Sequence, residues 1–306
     1  MKKIPLSTTK KEIPAIGAGC MRIDSLSLDA LCQYIDTYME SGINFFDHAD
    51  IYGGGRCEEL FGKAFLKTGI KREDVIIQSK CGIVPGIMYD FSKEYILQSV
   101  DSILQRLQMD YLDILLLHRP DALMEPEEVA AAFDILETSG KVLHFGVSNQ
   151  RPMQIELLQK YAKQKLMINQ LQFSIPVSNM IASGMEVNMQ TDGAIDRDGS
   201  ILDYCRLHDI TIQTWSPFQY GFFEGVFIGS DKYPKLNALL DKLAEKYNVT
   251  PTTIASAWIL RHPAKMQLIS GSTSPKRIKE IAAASDITLT REEWYQLYLA
   301  AGHILP

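Results

Sequence analysis

The fold prediction depends on the stretch Asn44-Phe45-Phe46-Asp47-His48-Ala49-Asp50-Ile51-Tyr52-Gly53-Gly54. An apolar run typical of a β-strand stops at the carboxylate of Asp47. A short polar loop follows, and Tyr52 stands just before three glycines. Two later apolar runs end in the same way, at Lys80 and at His118. In a parallel barrel the catalytic groups come from the carboxyl ends of different strands. The four residues are therefore predicted to meet in one proton-transfer site.

The rest of the chain alternates strand-like and helix-like segments with short turns. Eight β-rich runs in such an alternation predict parallel strands joined by right-handed crossovers. No Gly-x-Gly-x-x-Gly motif follows the first run, which weakens a Rossmann-type open sheet. Polar residues at several strand ends favour a closed barrel. We therefore predict an α/β fold, a (β/α)8 TIM barrel formed by residues 1–306 as one domain. The predicted strands are 15–20, 44–47, 75–80, 113–118, 144–148, 166–170, 210–215 and 266–270.

Three segments lie outside this alternation. Residues 1–14 contain two short apolar runs that predict a hairpin closing the bottom of the barrel. Residues 174–198 and 220–234 are predicted to be long loops, and loops of this length are usually functional or disordered. A helix near 291–300 is expected to end the fold.

Composition excludes several classes of protein. The chain has 306 residues, of which 46% are hydrophobic and 22% charged, and its net charge of −6 is spread without a basic block. Nucleic-acid binding therefore has little support. No apolar run is as long as a membrane span, and no signal-peptide apolar region follows Lys2-Lys3. We expect a cytoplasmic protein without membrane insertion. The sequence leaves oligomeric partners open.

The five cysteines are scattered and include no Cys-x-x-Cys pair. Their odd number favours free thiols in a reducing compartment over a disulfide framework or a zinc site. Cys81, directly after Lys80, could be a reactive thiol. A small buried residue beside a strand is the favoured interpretation, because free cysteine is so often buried.

The four strand-end residues suit the reduction of an aldehyde or ketone, which needs a hydride at carbon and a proton at oxygen. Tyr52 can supply the proton, although a free phenol has a pKa of about 10. We expect Lys80 to stabilise phenolate and lower that pKa by roughly 1–3 units. Asp47 would pair with Lys80, and His118 would orient the carbonyl through a ring N–H. Hydride transfer belongs to a nicotinamide cofactor.

Each of these residues also has a structural explanation. Asp47 could cap the following turn, Lys80 could be a solvated charge, Tyr52 could be a packing residue, and His118 could be structural. Their occurrence together on successive predicted strand ends favours the catalytic interpretation. A metal site at Asp47 and His48 is disfavoured, because adjacent residues of a strand point to opposite faces. We predict no metal site.

Several ordered motifs resemble those of the aldo-keto reductase superfamily, over residues from about Gly17 to Glu280. The blocks that carry the resemblance are 42–47 with 49–53, 104–113 with 117–118, 140–141 with 145–149, and 169–170. The resemblance implies a reductase of a small-molecule carbonyl compound. In such enzymes Tyr is the proton donor, Lys and Asp support it, and His positions the carbonyl, which matches Tyr52, Lys80, Asp47 and His118.

The resemblance also implies a site for the nicotinamide of NADPH or NADP. Ser148, Asn149 and Gln170 would hydrogen-bond the carboxamide. Alternatively, Ser148 and Asn149 would only cap the next helix. Trp215, followed by Ser216 in the same expected site, stands at a position that is usually Tyr in the family and whose ring stacks on the nicotinamide. Trp is a departure from the pattern, but its larger apolar face can still stack.

The segment 270–277 resembles the family's phosphate-binding turn. It follows the eighth predicted strand and opens a helix, where free N–H groups and the helix dipole favour an anion. Gly271, Ser272 and Thr273 belong to this turn, and Arg277 would pair with the adenosine 2′-phosphate. Many relatives carry Lys where this chain has Gly271. The turn therefore keeps the arginine, Arg277, and lacks the lysine. This combination favours NADP without strict selectivity for it.

Two other functions stay open. Some relatives, such as potassium-channel β subunits, keep the cofactor site while serving chiefly as partners. A barrel hydrolase or lyase would bind no nicotinamide cofactor. The sequence does not give the physiological substrate, whose specificity would depend on aromatic residues in two loops. These residues are Tyr89, Phe91, Phe218, Tyr220, Phe222 and Phe223.

Overall fold

The computed structural model describes residues 1–305 and places eight parallel strands in a closed barrel. Each strand pairs with its neighbours in chain order, and β8 pairs with β1 to close the ring. This confirms the predicted (β/α)8 barrel, and the predicted strand limits are within a few residues of those observed. The strands are β1 (Ile16–Gly19), β2 (Phe45–Asp47), β3 (Ile76–Cys81), β4 (Leu112–Leu117), β5 (Val142–Ser148), β6 (Leu166–Gln172), β7 (Thr211–Trp215) and β8 (Gln267–Ser270).

Eleven α-helices in residues 1–305 surround or cap the barrel. Side-chain caps begin several of them: Ser27 accepts from Ala30 N and Ser92 from Tyr95 N, which satisfies N–H groups that the helix cannot pair. The helices are α1 (Leu28–Glu40), α2 (Arg56–Thr68), α3 (Lys93–Leu107), α4 (Pro126–Thr138), α5 (Pro152–Gln159), α6 (Asn179–Met185), α7 (Ile201–Leu207), α8 (Pro234–Tyr247), α9 (Pro251–Leu260), α10 (Pro275–Ala282) and α11 (Arg291–Ala300).

Every residue of β3 and β4 is buried. Such strands are covered on both faces, by the barrel interior and by the outer helices, and they have nearly continuous apolar sequences for this reason. The interior also holds a polar layer, in which Gln213 Nε2 donates to Gln78 Oε1 (3.1 Å) and Gln267 Oε1 (2.8 Å). This layer satisfies its polar groups internally and lies below Asp47, to which Gln78 Nε2 donates.

The hairpin predicted in residues 1–14 is present. Lys3–Pro5 pairs antiparallel with Glu12–Pro14. Ile4 and Ile13 are buried, and Ser7 N donates to Thr211 Oγ1 at the amino end of β7. The hairpin therefore covers the end of the barrel opposite the carboxyl ends of the strands.

The two predicted long loops are more ordered than expected. Residues 174–198 contain α6, where Met180 and Ile181 are buried against the core. Residues 220–234 begin in a short hairpin of Gln219–Tyr220 with Gly225–Val226, and α8 and α9 follow before β8. A third short hairpin joins Ile83–Val84 to Met88–Tyr89, and 3-10 helices lie at Ile23–Ser25, Tyr52–Gly55, Arg72–Asp74, Asp192–Ala194 and Ala283–Asp286. Among residues 1–305, none of the helices is long and apolar enough to cross a bilayer.

Candidate active site

The glycines after Tyr52 shape the turn that carries the phenol. Gly53, Gly54 and Gly55 have φ values of 58°, 64° and 91°, and side chains other than glycine rarely adopt this left-handed conformation. At Gly55 a Cβ would also lie 2.9 Å from Arg106 Cδ. The three glycines therefore let the chain reverse directly from the end of β2 into α2, with Tyr52 at the mouth of the barrel.

Lys80 joins Asp47 to Tyr52. Its Nζ lies 2.8 Å from each carboxylate oxygen of Asp47, 2.8 Å from the carbonyl oxygen of His48 and 3.2 Å from the hydroxyl of Tyr52. The lysine side chain is fully buried, so its three N–H donors are committed to these acceptors. This excludes a solvated Lys80 and places a fixed positive charge behind the phenol.

Asp47 is held from below by amide donors as well. Gln78 Nε2 and Gln170 Nε2 both donate to its Oδ1, the second at 3.1 Å. The hydrogen bonds to its carboxylate in residues 1–305 all come from side chains and none from the backbone of the next turn. The alternative that Asp47 caps that turn is therefore wrong.

Burial reverses one expectation about protonation. The pKa of Tyr52 is raised, because burial of the phenol disfavours phenolate more than the charge of Lys80 favours it. The prediction of a lowered pKa is wrong for this structure. For Lys80, burial acts to lower the pKa, but the carboxylate of Asp47 and the hydrogen bonds to Asp47 and Tyr52 outweigh it, and the pKa is raised. At neutral pH Tyr52 keeps its proton and Lys80 keeps its charge.

His118 completes the group at the carboxyl end of β4. Its ring lies edge-on to that of Tyr52, with 6.0 Å between the centroids and an interplanar angle of 83°. Burial, together with the charges of Lys80 and Arg119, holds the pKa of His118 well below its usual value. The imidazole is therefore neutral, and its Nδ1 has no hydrogen-bond partner among residues 1–305.

Asp47, Tyr52 and His118 open into a cavity of about 860 Å³ at the carboxyl ends of the strands. Lys80 does not line the cavity, because its side chain is buried beneath the cavity surface. All nine residues predicted to bind the cofactor do line it. These residues are Ser148, Asn149, Gln170, Trp215, Ser216, Gly271, Ser272, Thr273 and Arg277.

A chain of hydrogen bonds fixes one wall of the cavity. Ser148 Oγ donates to the carbonyl of Gln170 (3.0 Å), Asn149 Nδ2 donates to Ser148 Oγ (2.7 Å), and Trp215 Nε1 donates to Asn149 Oδ1 (3.1 Å). The next helix, α5, has Arg151 as its N-cap. Ser148 and Asn149 therefore do not cap it, and their orientation is tied to the ring of Trp215.

The turn between β8 and α10 forms the adjacent part of the wall, because β8 pairs with β7. Tyr38 OH lies 3.2 Å from the carbonyl oxygen of Ser270 and 3.1 Å from that of Ser272, and it holds the turn from below. The N-cap residue of α10, Ser274, makes no side-chain hydrogen bond to the helix. Unpaired N–H groups at a helix start favour an anion.

Two arginines that were not among the predicted site residues also line the cavity, Arg22 after β1 and Arg119 after β4. Arg22 lies beside the turn, since a Cβ at Gly271 would be 3.0 Å from its Nη2. The absence of a side chain at Gly271 therefore gives room to an arginine from another loop. Both arginines follow predicted strand ends, so the rule that identified Lys80 and His118 could have found them.

The loop aromatics divide into three groups. Phe218 and Phe223 line the cavity, and Phe223 stacks on Trp215 with 5.8 Å between the ring centroids. Phe91 is buried against Gly82 instead, where a Cβ would be 2.1 Å from its ring. The expectation that Phe91 helps to form the pocket is wrong. Tyr89, Tyr220 and Phe222 do not line the cavity.

The metal and thiol alternatives gain no support. His48 points away from Asp47 and packs on Phe61, with 4.5 Å between the ring centroids. Within residues 1–305, no three His, Cys, Asp or Glu residues are placed to hold a metal ion. Cys81 is buried, and burial raises the pKa of its thiol well above the usual value. The structure therefore favours the interpretation of Cys81 as a buried core residue beside a strand.

Comparison with known proteins agrees with the geometry. The model of the Aldo/keto reductase family matches residues 15–298. The chain is 35% identical over 289 residues to the uncharacterized oxidoreductase YcsN of Bacillus subtilis, covering 90% of each chain. It is 33% identical to a 6-dehydroglucose reductase of Agrobacterium fabrum, covering 98% of each. A crystal structure of the thermostable aldo-keto reductase Tm1743 superimposes with a TM-score of 0.76 at 24% identity, covering 98% of this chain and 100% of that one, which shows the shared fold.

More distant relatives carry names of different kinds. At 29% identity they include an NADH-specific methylglyoxal reductase of Escherichia coli, with 95% of each chain covered, and a probable voltage-gated potassium channel subunit beta of Arabidopsis thaliana, with 94% of this chain and 91% of that one covered. Their names do not decide between cofactors or roles for this protein. The match of the family model and the barrel with its strand-end site agree on the family itself. The chain belongs to the aldo/keto reductase family.

Proposed function

We propose that this protein reduces an aldehyde or ketone to an alcohol with NADPH as hydride donor. The observation that carries the proposal is the position of Lys80 Nζ between Asp47 and the hydroxyl of Tyr52, with that hydroxyl and His118 at the cavity surface. The complete tetrad favours an enzyme over a partner subunit of the channel type. A hydrolase or lyase would leave the phosphate-binding features of the same cavity without a use.

The donor set of the cavity suits a nicotinamide dinucleotide. Ser148, Asn149 and Gln170 would hold the carboxamide, and Trp215 would lie on the ring. The turn at Gly271, Ser272 and Thr273 would receive phosphate, and the volume of about 860 Å³ is in the range of cofactor sites. When bound, the cofactor supplies the hydride.

The residues of this chain would manage the proton. The neutral His118 would donate a ring N–H to the substrate oxygen and fix the carbonyl near Tyr52. The Tyr52 hydroxyl would give its proton to that oxygen as negative charge develops there. Lys80 would stabilise the phenolate that remains, and Asp47 with its two glutamine donors would hold Lys80 in place. Groups fixed in this way need little reorganisation during the reaction.

The preference for NADPH over NADH rests on two arginines. Arg277 in the first turn of α10 lines the cavity beside the turn, and Arg22 fills the space above Gly271. Arg22 would supply the positive charge that many relatives place on a Lys at position 271. A 2′-phosphate would then face two positive charges, Arg22 and Arg277, whereas the sequence of the turn alone indicates one.

Tyr52→Phe tests the proposal. The variant keeps the ring but loses the proton, so carbonyl reduction should fall by about 10²-fold or more. Its melting temperature and its NADPH affinity, measured by fluorescence titration, should stay close to wild type. The panel of substrates should contain aromatic and aliphatic aldehydes and ketones.

Two results would refute the proposal. Wild-type protein that binds neither NADPH nor NADH would favour a hydrolase or lyase. A Tyr52→Phe variant as active as wild type would show that the phenol is only a packing group.

A further inference from the structure

Arg119 is a cation without a partner in the wall of the cavity. Arg119 follows His118 at the carboxyl end of β4 and is half-buried. Among residues 1–305 its guanidinium makes no hydrogen bond and no ion pair. Its Cζ lies over the ring of Trp215, 5.7 Å from the centroid. The five N–H donors of this side chain are therefore left for water or a ligand.

Within residues 1–305 the three other half-buried arginines each have an acceptor: Arg72 and Arg106 pair with carboxylates, and Arg261 Nε donates to the carbonyl oxygen of Leu289 (2.8 Å). Arg72 Nη2 lies 2.8 Å from Asp113 Oδ2, and Arg106 Nη2 lies 2.7 Å from Glu58 Oε2. Removing a charge from water without a counter-ion is unfavourable. An arginine that is withdrawn from water and left unpaired at a binding site indicates an anion that arrives with the ligand.

The topology separates Arg119 from the cofactor's phosphates. Three strands lie between β4 and β8 in either direction around the barrel, so Arg119 stands on the rim opposite the turn at Gly271. Arg22 and Arg277 serve that turn. Arg119 instead adjoins His118 and Trp215, where the reacting carbonyl would lie.

We propose that Arg119 binds an anionic oxygen group of the substrate, a carboxylate or a phosphate monoester carried on a carbon other than the carbonyl carbon. The inference rests on the proposed function and adds the substrate class. A guanidinium can donate two parallel N–H groups to either anion, which fixes orientation as well as charge. The anion takes no part in the chemistry: hydride adds to the carbonyl carbon, the Tyr52 proton adds to its oxygen, and the anionic group leaves unchanged.

Matched substrate pairs test the proposal. The carboxylate pairs are 4-carboxybenzaldehyde with its methyl ester, and succinic semialdehyde with its methyl ester. The phosphate pair is glyceraldehyde 3-phosphate with glyceraldehyde. For wild type, kcat/KM should favour the anion of at least one pair by about 10-fold or more, and the pair that responds identifies the anion.

Arg119→Gln should reduce that preference by about 10- to 100-fold, the range given by the loss of a charge-assisted hydrogen bond. The change should fall on the anionic substrate, while its neutral partner is reduced about as well as by wild type. Arg119→Lys should keep part of the preference, because it keeps the charge but loses the bidentate geometry. Arg291→Gln, which removes an exposed charge at the start of α11, is the matched control and should change neither member of a pair.

Binding gives a second measurement that does not depend on turnover. Calorimetry with 4-(hydroxymethyl)benzoate and the protein–NADP complex should show about 10-fold weaker affinity for Arg119→Gln than for wild type. Equal kcat/KM within every pair in wild type, or equal losses on anionic and neutral substrates in Arg119→Gln, would overturn the role of Arg119 while leaving carbonyl reduction intact. Failure to reduce any of the six compounds, combined with absence of NADPH binding, would instead overturn the proposed function.

Discussion

Two buried aspartates at opposite ends of the barrel have the same kind of partner and different surroundings. Asp47, at the carboxyl end of β2, is 3% exposed and pairs with Lys80. Asp113, near the amino end of β4, is 4% exposed and pairs with Arg72 (2.8 Å) and Lys11 (3.0 Å). Burial and pairing alone do not distinguish a functional carboxylate from a structural one.

The difference lies in what each cation contacts next. Arg72 continues to the carbonyl oxygens of Val75 and Tyr111 and lies 3.9 Å from the Tyr111 ring centroid, all within the fold. Lys80 continues to the hydroxyl of Tyr52 at the cavity. One cluster therefore fastens the chain, and the other holds the phenol of Tyr52, the proton donor of the proposed reaction. In (β/α)8 barrels the carboxyl end is the catalytic end and the amino end serves stability.

The largest effect should come from the Asp47–Lys80 unit. Lys80→Met removes the charge that would stabilise phenolate in the proposed reaction, and kcat should fall by about 10²- to 10⁴-fold. Asp47→Asn should act through Lys80 and add little once Lys80 is gone, because residues that act as a unit are not additive. The measurement is kcat, melting temperature and pH profile for both single variants and the double variant. Strictly additive activity losses would separate Asp47 from the catalytic unit.

At the other end, Asp113→Ala should lower stability rather than activity. It leaves the partly buried Arg72 unpaired and removes the acceptor of Ile77 N (3.0 Å), so the free energy of unfolding should fall by about 3 kcal/mol. Chemical denaturation measures this loss. Activity per folded molecule should be unchanged, and a large drop in kcat at unchanged stability would break the contrast between the two ends.

Cations at the carboxyl end should affect ligand binding, while those at the amino end should not. Arg277→Ala and Arg22→Ala should each weaken NADPH by about 1.5–3 kcal/mol with little change for NADH. Arg72→Gln is the matched control: it should lower the melting temperature and leave NADPH affinity unchanged. Fluorescence titration with both cofactors gives the affinities. Equal binding of NADPH and NADH by wild type would remove the phosphate role of both arginines.

Asp50 is a third largely buried aspartate and has no ion-pair partner in residues 1–305. Its Oδ1 is buried without a hydrogen bond, and burial together with the charge of Glu58 raises the pKa of the carboxyl to about 7. The pKa of the Asp50 carboxyl is higher in the folded than in the unfolded protein. Its contribution to stability is therefore fully present below about pH 4 and is lost as pH rises through about 7. Asp50→Asn stays neutral throughout. It should therefore stabilise the fold at pH 8 by on the order of 1 kcal/mol, with a smaller gain at pH 5.

Melting temperatures of wild type and Asp50→Asn between pH 5 and pH 8 measure this difference. A gain that does not vary with pH would show that the carboxyl of Asp50 does not titrate in this range.

The alternation of strands and helices and the four strand-end residues could be predicted from the sequence, and the polar residues at several strand ends favoured a closed barrel over an open sheet. Periodicity and strand ends are local properties, and a parallel barrel brings all carboxyl ends to one rim whatever the details of packing. This is why Asp47, Tyr52, Lys80 and His118 could be predicted to lie together. The turn at Gly271 was identified from its resemblance to the family's phosphate-binding turn, and its position between a strand and a helix agrees with that role.

The charges and pairings around that site depend on the tertiary structure. Arg22 approaches Gly271 from a distant loop, and Arg119 is left without the protein acceptor that the other half-buried arginines have. The raised pKa of Tyr52 depends on how far burial outweighs the charge of Lys80, and the order in residues 174–198 depends on α6 packing against the core. Burial, pairing and desolvation are sums over neighbours that are remote in the sequence, so no local pattern contains them.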